Sequence, residues 1–237
     1  MGNAKTAIVV IILILLAGGA WWYAQKDSFI LPIASGDTVV SWNFQGARND
    51  GGTLEESATK EIARLQTLLG GDQTGGEGNP TDYELYVGIA NQYEGLGDGA
   101  RAREYLEKAL AIDSEKTGLA WHNLGNLMSR LGAKNTARLA YEKAVKAQSK
   151  IDMYTTARLR FLMDNFASDT GAIDDAFVEA QAEFGDDPSI LQMQALWFEK
   201  SGRVQEALDT LRRMKAVMPA DAQSSIDSEI ARLEKKL

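Results

Sequence analysis

The sequence predicts an all-α solenoid of about four helix hairpins closed by a C-terminal capping helix, with one N-terminal transmembrane helix. Three observations carry this. Ala90, Gly97, Ala102 and Ala109 recur 35 residues later as Gly125, Gly132, Ala137 and Ala144, and Ala195, Gly202 and Ala207 repeat the same offsets a further 70 residues on. Self-similarity at this period marks an array of stacked supersecondary units. The C-terminal stretch 221–237 places Ile226, Ile230, Leu233 and Leu237 at steps of four, three and four, one apolar stripe of a helix. Residues 7–24, AIVVIILILLAGGAWWYA, carry no charge over a length that just reaches across a bilayer core.

From the N-terminus, residues 1–26 are expected to form the membrane anchor, with Trp21, Trp22 and Tyr23 as an aromatic belt at the interface. A cleavable signal peptide is the competing reading, because Gly18 and Ala20 offer small residues before Trp21. Lys5 and the free amino group precede the span, so the N-terminus is expected to be cytoplasmic and the rest of the chain extracytoplasmic, periplasmic or extracellular. The absence of cysteine is compatible with an oxidising compartment.

Residues 27–80 read as a linker with two elements. Thr38, Val40, Trp42 and Phe44 alternate, so 37–45 can form a short strand whose free edge would seek a partner. An amphipathic helix is expected over 54–69, with Ala58, Ile62, Leu65 and Leu69 aligned and a capping box between Thr53 and Glu56. GDQTGGEGNP then reads as a flexible tether.

Residues 81–219 hold the array. In the first unit Tyr86, Ile89, Ala90 and Tyr93 share a helix face, Gly97-Asp98 breaks the helix, and Ala102, Leu106 and Ala109 mark a second one. The second unit fills the same slots with Trp121, Leu124, Gly125 and Met128, then Gly132, then Ala137, Tyr141 and Ala144. Small residues let the two helices of a hairpin approach, and aromatics fill the gap toward the next hairpin. A unit at 191–214 followed by Pro219 keeps most slots. Between 152 and 185 the match weakens: Leu159, Met163, Ala172 and Ala176 agree, but Arg160 stands in a small slot and Ala167 replaces the turn glycine. That unit is expected to be a degenerate hairpin with its register open by a turn.

This pattern of aromatic, Leu, Gly or Ala, Tyr, then Gly-Asp, Ala, aromatic, Ala resembles the tetratricopeptide repeat, and the architecture resembles membrane-anchored bacterial members of that family. The resemblance implies a concave groove lined by the first helix of each hairpin. Carried onto this chain, it selects Glu84, Val87, Asn91 and Glu94 in the first unit and Leu119, His122, Asn126 and Arg130 in the second. Asn91 and Asn126 occupy the slot where peptide-binding members place an asparagine that can donate to and accept from an extended backbone. Asn123 and Arg158 match slots of the carboxylate clamp of chaperone-binding members, whereas Val87 and Tyr154 replace its lysines. The candidate groove set is therefore Val87, Asn91, Glu94, His122, Asn123, Asn126, Arg130 and Arg158.

Composition narrows the function. A net charge of -8 disfavours nucleic acid, whose binding needs clustered Lys and Arg. One histidine and no cysteine leave no two-histidine or thiolate metal site within the chain, and no cofactor is expected. Ser57-Ala-Thr-Lys60 matches S-x-x-K without the accompanying S-D-N or K-T-G, and Gly97-Asp-Gly-Ala100 lacks the strand and G-K-[ST] of a phosphate loop. The expected function is a non-catalytic, membrane-tethered scaffold or adaptor that binds a protein or peptide client in its groove during envelope protein assembly. The alternative is a structural subunit of a larger membrane or filament assembly that self-associates through its N-terminal region.

Overall fold

The computed structural model describes residues 30–71 and 78–237. Among the described residues there are ten α-helices. They are α1 (Thr53–Leu68), α2 (Asp82–Leu96), α3 (Gly99–Ile112), α4 (Leu119–Arg130), α5 (Lys134–Ala147), α6 (Asp152–Asn165), α7 (Thr170–Phe184), α8 (Pro188–Lys200), α9 (Val204–Val217) and α10 (Gln223–Glu234). A single 3-10 turn, Ala220–Ala222, precedes α10. Helices α2 to α9 pair into four consecutive hairpins. The second helices begin at Gly99, Lys134, Thr170 and Val204, steps of 35, 36 and 34 residues.

The expectation of a single-pass membrane protein with extracytoplasmic repeats is corrected. Among the described residues no helix is long and apolar enough to cross a membrane. The longest, α1, has 16 residues with Glu55, Glu56, Lys60, Glu61 and Arg64 along it, whereas a bilayer core needs about 20 apolar residues. The segment 7–24 that carried the expectation lies outside the described residues. Over the described residues the fold is a helical-hairpin solenoid.

Each hairpin turn follows from its residues. Gly97, Gly132 and Gly202 end α2, α4 and α8 at φ +82, +79 and +80, the left-handed conformation that glycine adopts without a Cβ penalty. The third turn holds Ala167 at this slot, and no residue other than glycine has a positive φ among the described residues. Phe166 at φ -129 and ψ 32 caps α6 instead. The small slot behaves in parallel. A Cβ on Gly125 would lie 2.9 Å from the Tyr141 ring, so the glycine is what lets α4 and α5 close together. Arg160 occupies the equivalent place in α6, points outward and is exposed, and α6 and α7 pack less closely than the other pairs.

The core is continuous through the first two hairpins, where Leu106, Leu124, Leu127 and Met128 are fully buried with Trp121 beside them. Each buried Leu, Ile, Met or Phe side chain of this layer contributes about 1.5–3 kcal/mol. A second cluster joins Leu159, Ile173 and Phe177 of the third hairpin to Trp197 of α8, and a third seats Ile226 and Leu233 of α10 against Leu191, Leu208 and Leu211. The Arg203 guanidinium grips Asp174 with two bonds of 2.8 Å, tying α9 to α7.

Helix α1 docks on the first hairpin, packing Ile62 and Leu65 against Leu85 and Ile89. Gln66 Nε2 donates to the Tyr105 hydroxyl at 2.8 Å. It covers the end of the array as α10 covers the other, so the polar outer face a solenoid needs is present at both ends. The capping box expected at Thr53 and Glu56 does not form. The N-cap is Gly52, and Asp50 accepts from the backbone N–H groups of Gly52 and Glu55 at 2.9 and 3.2 Å. A capping box does close α2, between Thr81 and Glu84. The tether expected at 71–80 lies largely outside the described residues, but Gly70 N donates to Asp82 Oδ1 at 3.0 Å. Its two ends are therefore fixed by α1 and α2.

The segment expected as a short strand over 37–45 is an extended arm holding a single bridge, between Asn43 and Asp98. Strict alternation fails because Val39 packs inward with Trp42 and Phe44, whereas Val40 is 93% exposed. The edge does not await another chain. Phe44 N donates to Gly97 O at 3.0 Å, Gly99 N to Trp42 O at 2.8 Å and Arg48 N to Gly95 O at 2.7 Å. Upstream, Arg103 donates to Leu31 O at 2.8 Å, and Asp37 sits over the start of α5. The arm thus straps the first two hairpins along their turns.

Candidate functional site

Helices α2 and α4 place one polar surface on the concave side of the first two hairpins. It is lined by Asn91, Glu94 and Gly95 from α2, by Leu119, His122, Asn123, Asn126 and Arg130 from α4, by Met153 from α6 and by Ala47 from the arm. Five or more charged or amide side chains converge here because they share the solvent stripe of their helices, while Ile89, Ala90, Leu124 and Gly125 turn the opposite way into the core.

The side chains are already engaged with one another. Asn123 Nδ2 donates to Asn91 Oδ1 at 2.9 Å, linking α4 to α2. Asn126 Oδ1 accepts from the Tyr141 hydroxyl at 2.6 Å, and Asn126 Nδ2 lies 3.1 Å from His122 Nε2. Arg130 Nε approaches Glu94 Oε1 at 3.4 Å, and its guanidinium sits 5.2 Å over the Phe44 ring of the arm. The His122 ring meets Tyr141 edge-on at 5.8 Å and Tyr154 at 5.4 Å.

Burial shapes the electrostatics. It raises the Glu94 carboxyl above its ordinary range, against the opposing pull of Arg130. It lowers the His122 imidazole below 6.5, which keeps it neutral at pH 7. Burial, with Glu94 nearby, pushes the Tyr141 hydroxyl up to about 12, so that group is a donor throughout the working pH range. The arrangement offers hydrogen-bond donors and acceptors at fixed positions, one guanidinium and two apolar contacts from Leu119 and Met153. Such a surface suits an extended polypeptide, whose backbone presents alternating N–H and C=O groups.

Of the eight residues selected from the sequence, six line this surface: Asn91, Glu94, His122, Asn123, Asn126 and Arg130. Val87 does not, since it is 3% exposed and belongs to the core. It stands one helical step of four before Asn91, but it packs with Tyr83 in the core cluster of the first two hairpins. Arg158 is withdrawn as well. It pairs with Glu179 of α7, and its Nε is buried without a hydrogen-bond partner among the described residues. With Val87 and Tyr154 buried at the lysine slots and Arg158 turned away, only Asn123 of the clamp slots reaches the groove.

Residues outside the sequence-derived set matter equally. Tyr141 reads in the sequence as a packing aromatic, and only the fold brings its hydroxyl to Asn126. Ala47 and Phe44 lie 79 and 86 residues before Asn126 and Arg130 in sequence, and no local pattern connects them. Among the described residues no group of three or more His, Cys, Asp or Glu could hold a metal ion. Ser57 lies exposed on α1, and Lys60 faces Glu56 at 3.6 Å.

The fold and this surface define a helical-hairpin solenoid of the protein-interaction kind. The tetratricopeptide-repeat family matches residues 83–116 and 119–151, which are the first two hairpins and hold all of the groove's lining except Ala47 and Met153. Residues 83–116 and 119–151 are thus two tetratricopeptide repeats. No curated protein matches it. Among solved structures it is similar to the crystal structure of MamA, at 15% identity over 76% of this chain and 98% of that one, with a TM-score of 0.50. A second MamA crystal structure gives 15% identity and a TM-score of 0.48 over 68% and 79% of the two chains. The APC/C hetero-tetramer Cut9-Hcn1 gives 14% identity and 0.49, over 77% of this chain and 34% of that one. At such identities the likeness concerns the fold.

Proposed function

We propose that this chain is a non-catalytic scaffold that holds an extended segment of a protein partner in the groove of its first two hairpins. The observation that carries this is the convergence of Asn91, Glu94, His122, Asn123, Asn126 and Arg130 on one concave surface. A role in envelope assembly drew on the expected membrane span and loses that support with it.

The alternative, self-association through 29–45, is weakened by the arm itself. Leu31, Trp42 and Phe44 turn onto their own hairpins, and the backbone edge is bonded to residues 95–99.

The test is capture of partners from the native host by crosslinking. Asn91→Ala and Arg130→Ala remove exposed groove contacts without touching the core, and each should reduce capture at least several-fold with helicity unchanged. Asn126→Ala is the less clean variant because it also strips Tyr141 of its acceptor. Equal capture by the parent and the Asn91→Ala, Arg130→Ala double variant would refute the groove.

A further inference from the structure

His122 is the sole histidine of the chain, and its position in the groove is chemically specific. Its Nε2 faces Asn126 Nδ2 at 3.1 Å. The Asn126 amide is oriented from its other side, because Oδ1 accepts from the Tyr141 hydroxyl at 2.6 Å. An amide nitrogen only donates, so Nε2 must be the acceptor, and the neutral ring carries its proton on Nδ1. Nδ1 is buried with no hydrogen-bond partner among the described residues. Polarity therefore runs one way through the chain: Tyr141 O–H to Asn126 C=O, and Asn126 N–H to His122.

A second proton on His122 would have to sit on Nε2, where it would point at an N–H donor. The conflict is relieved in one simple way. The Asn126 amide turns over by 180°, so that Oδ1 accepts from the imidazolium and Nδ2 donates to the Tyr141 oxygen. An amide offers two N–H groups and two lone pairs. The network uses one of each, and Asn126 is exposed, so the turnover exchanges the donor and acceptor that it presents to the groove.

From this geometry we infer that His122 is a proton-operated positioning residue: its protonation reverses the Asn126 amide and so changes the hydrogen-bond register the groove offers an extended backbone. This inference rests on the groove reading above and adds its regulation. The groups that face His122 are Tyr141 of α5, Tyr154 of α6, and across the groove Glu94 of α2, with Arg130 on its own helix. Glu94 and Arg130 pair with each other at 3.4 Å, and burial is the cause that holds the imidazole neutral. A ligand seated at neutral pH would meet a donor where it had an acceptor once the ring is charged, and would be released on acidification.

The lone histidine makes the test direct. Long-range proton–nitrogen correlation on the full-length, nitrogen-15-labelled chain reads the imidazole tautomer without assignment ambiguity, and the Asn126 side-chain amide reports its own orientation. The expected result is Nδ1–H at pH 8, a titration midpoint below 6.5, and Asn126 amide shifts that follow the same midpoint. Tyr141→Phe removes the group that fixes the amide, so the midpoint should rise and Asn126 should lose its preferred orientation. A parent showing Nε2–H at pH 8, or an Asn126 amide that does not move through the titration, would overturn the inference even if Tyr141→Phe fails to fold. That result would leave the groove reading intact, because capture through Asn91 and Arg130 is measured separately. Lost capture dependence beside the expected titration would instead refute the groove and keep the switch as a property of the fold.

Discussion

Asp37 is the most consequential residue of the arm, and its replacement gives a quantitative test of how the arm holds the array. Helix α5 lacks a cap of its own, because Ala133 at the N-cap makes no side-chain bond to the first turn. Asp37 supplies one from 98 residues away in sequence. Its Oδ1 accepts from Asn135 N and Nδ2 at 3.1 and 2.9 Å, and its Oδ2 from Thr136 N and Oγ1 at 2.7 and 2.8 Å. Thr136 Oγ1 accepts in turn from Ala34 N at 2.9 Å, so the cap and the arm backbone form one network.

Removing a natural N-cap costs about 0.5–2 kcal/mol, and a carboxylate near a helix N-terminus adds about 0.3–1 kcal/mol at low salt. The site is partly solvated, so Asp37→Ala should lower the free energy of unfolding by about 1–2 kcal/mol. Asp37→Asn, which keeps one acceptor, should lose less. Urea denaturation followed by circular dichroism is the assay, with an unchanged slope on denaturant required for the comparison. In a Thr136→Val background the effect of Asp37→Ala should shrink, since part of it passes through that hydroxyl. Acid should mimic the mutation. Burial raises the Asp37 carboxyl, but the bonds from Thr136 and Asn135 outweigh it and leave it below 3.8. Its contribution is therefore present above that value and lost as pH falls through the lower folded one. A change within about 0.3 kcal/mol for Asp37→Ala, or the same change with and without Thr136, would refute the capping argument.

Two further perturbations separate the arm from the repeats and the cap from both. Gly97→Ala and Gly132→Ala carry the same left-handed penalty of about 1–2 kcal/mol, but a Cβ at Gly97 would lie 1.9 Å from Phe44 O, whereas nothing lies within 4 Å at Gly132. Gly97→Ala should therefore be the more destabilising in a thermal melt, and equal losses would mean the arm does not seat on that turn. Glu199 accepts from Arg232 and Lys236, both at 2.6 Å, which hold its carboxyl down at about 2. Its depressed value means that stabilisation is present above about 4.5 and declines as pH falls toward 2. Glu199→Gln should flatten the stability profile over that interval, and a profile unchanged by the substitution would show that the ion pairs contribute nothing there.

The sequence by itself determined the hairpins, because their causes are local. A glycine that must adopt positive φ at 97, 132 and 202, a small residue at 125 where two helices touch, and apolar stripes at helical spacing are each written within one unit and repeated in the next. The resemblance to the tetratricopeptide repeat selected Asn91, Glu94, His122, Asn123, Asn126 and Arg130 across two helices, with helical spacing fixing which residues of each helix share a face. The tertiary structure decided what depends on distant partners. The alternating 38–44 segment reads as a strand with a free edge, yet its bonds go to residues 95–99, and nothing in its own residues could name them. Thr53 and Glu56 have the spacing of a capping box, but the N-cap falls one residue earlier, at Gly52, and Asp50 accepts from the N–H groups of Gly52 and Glu55. Val87 and Arg158 fit the groove by slot, and were removed from it by packing and by Glu179 on a neighbouring helix. Helical spacing is a property of a few consecutive residues, whereas a cap supplied from 98 residues away, or the orientation of one amide between a tyrosine and a histidine, exists only once the chain has folded.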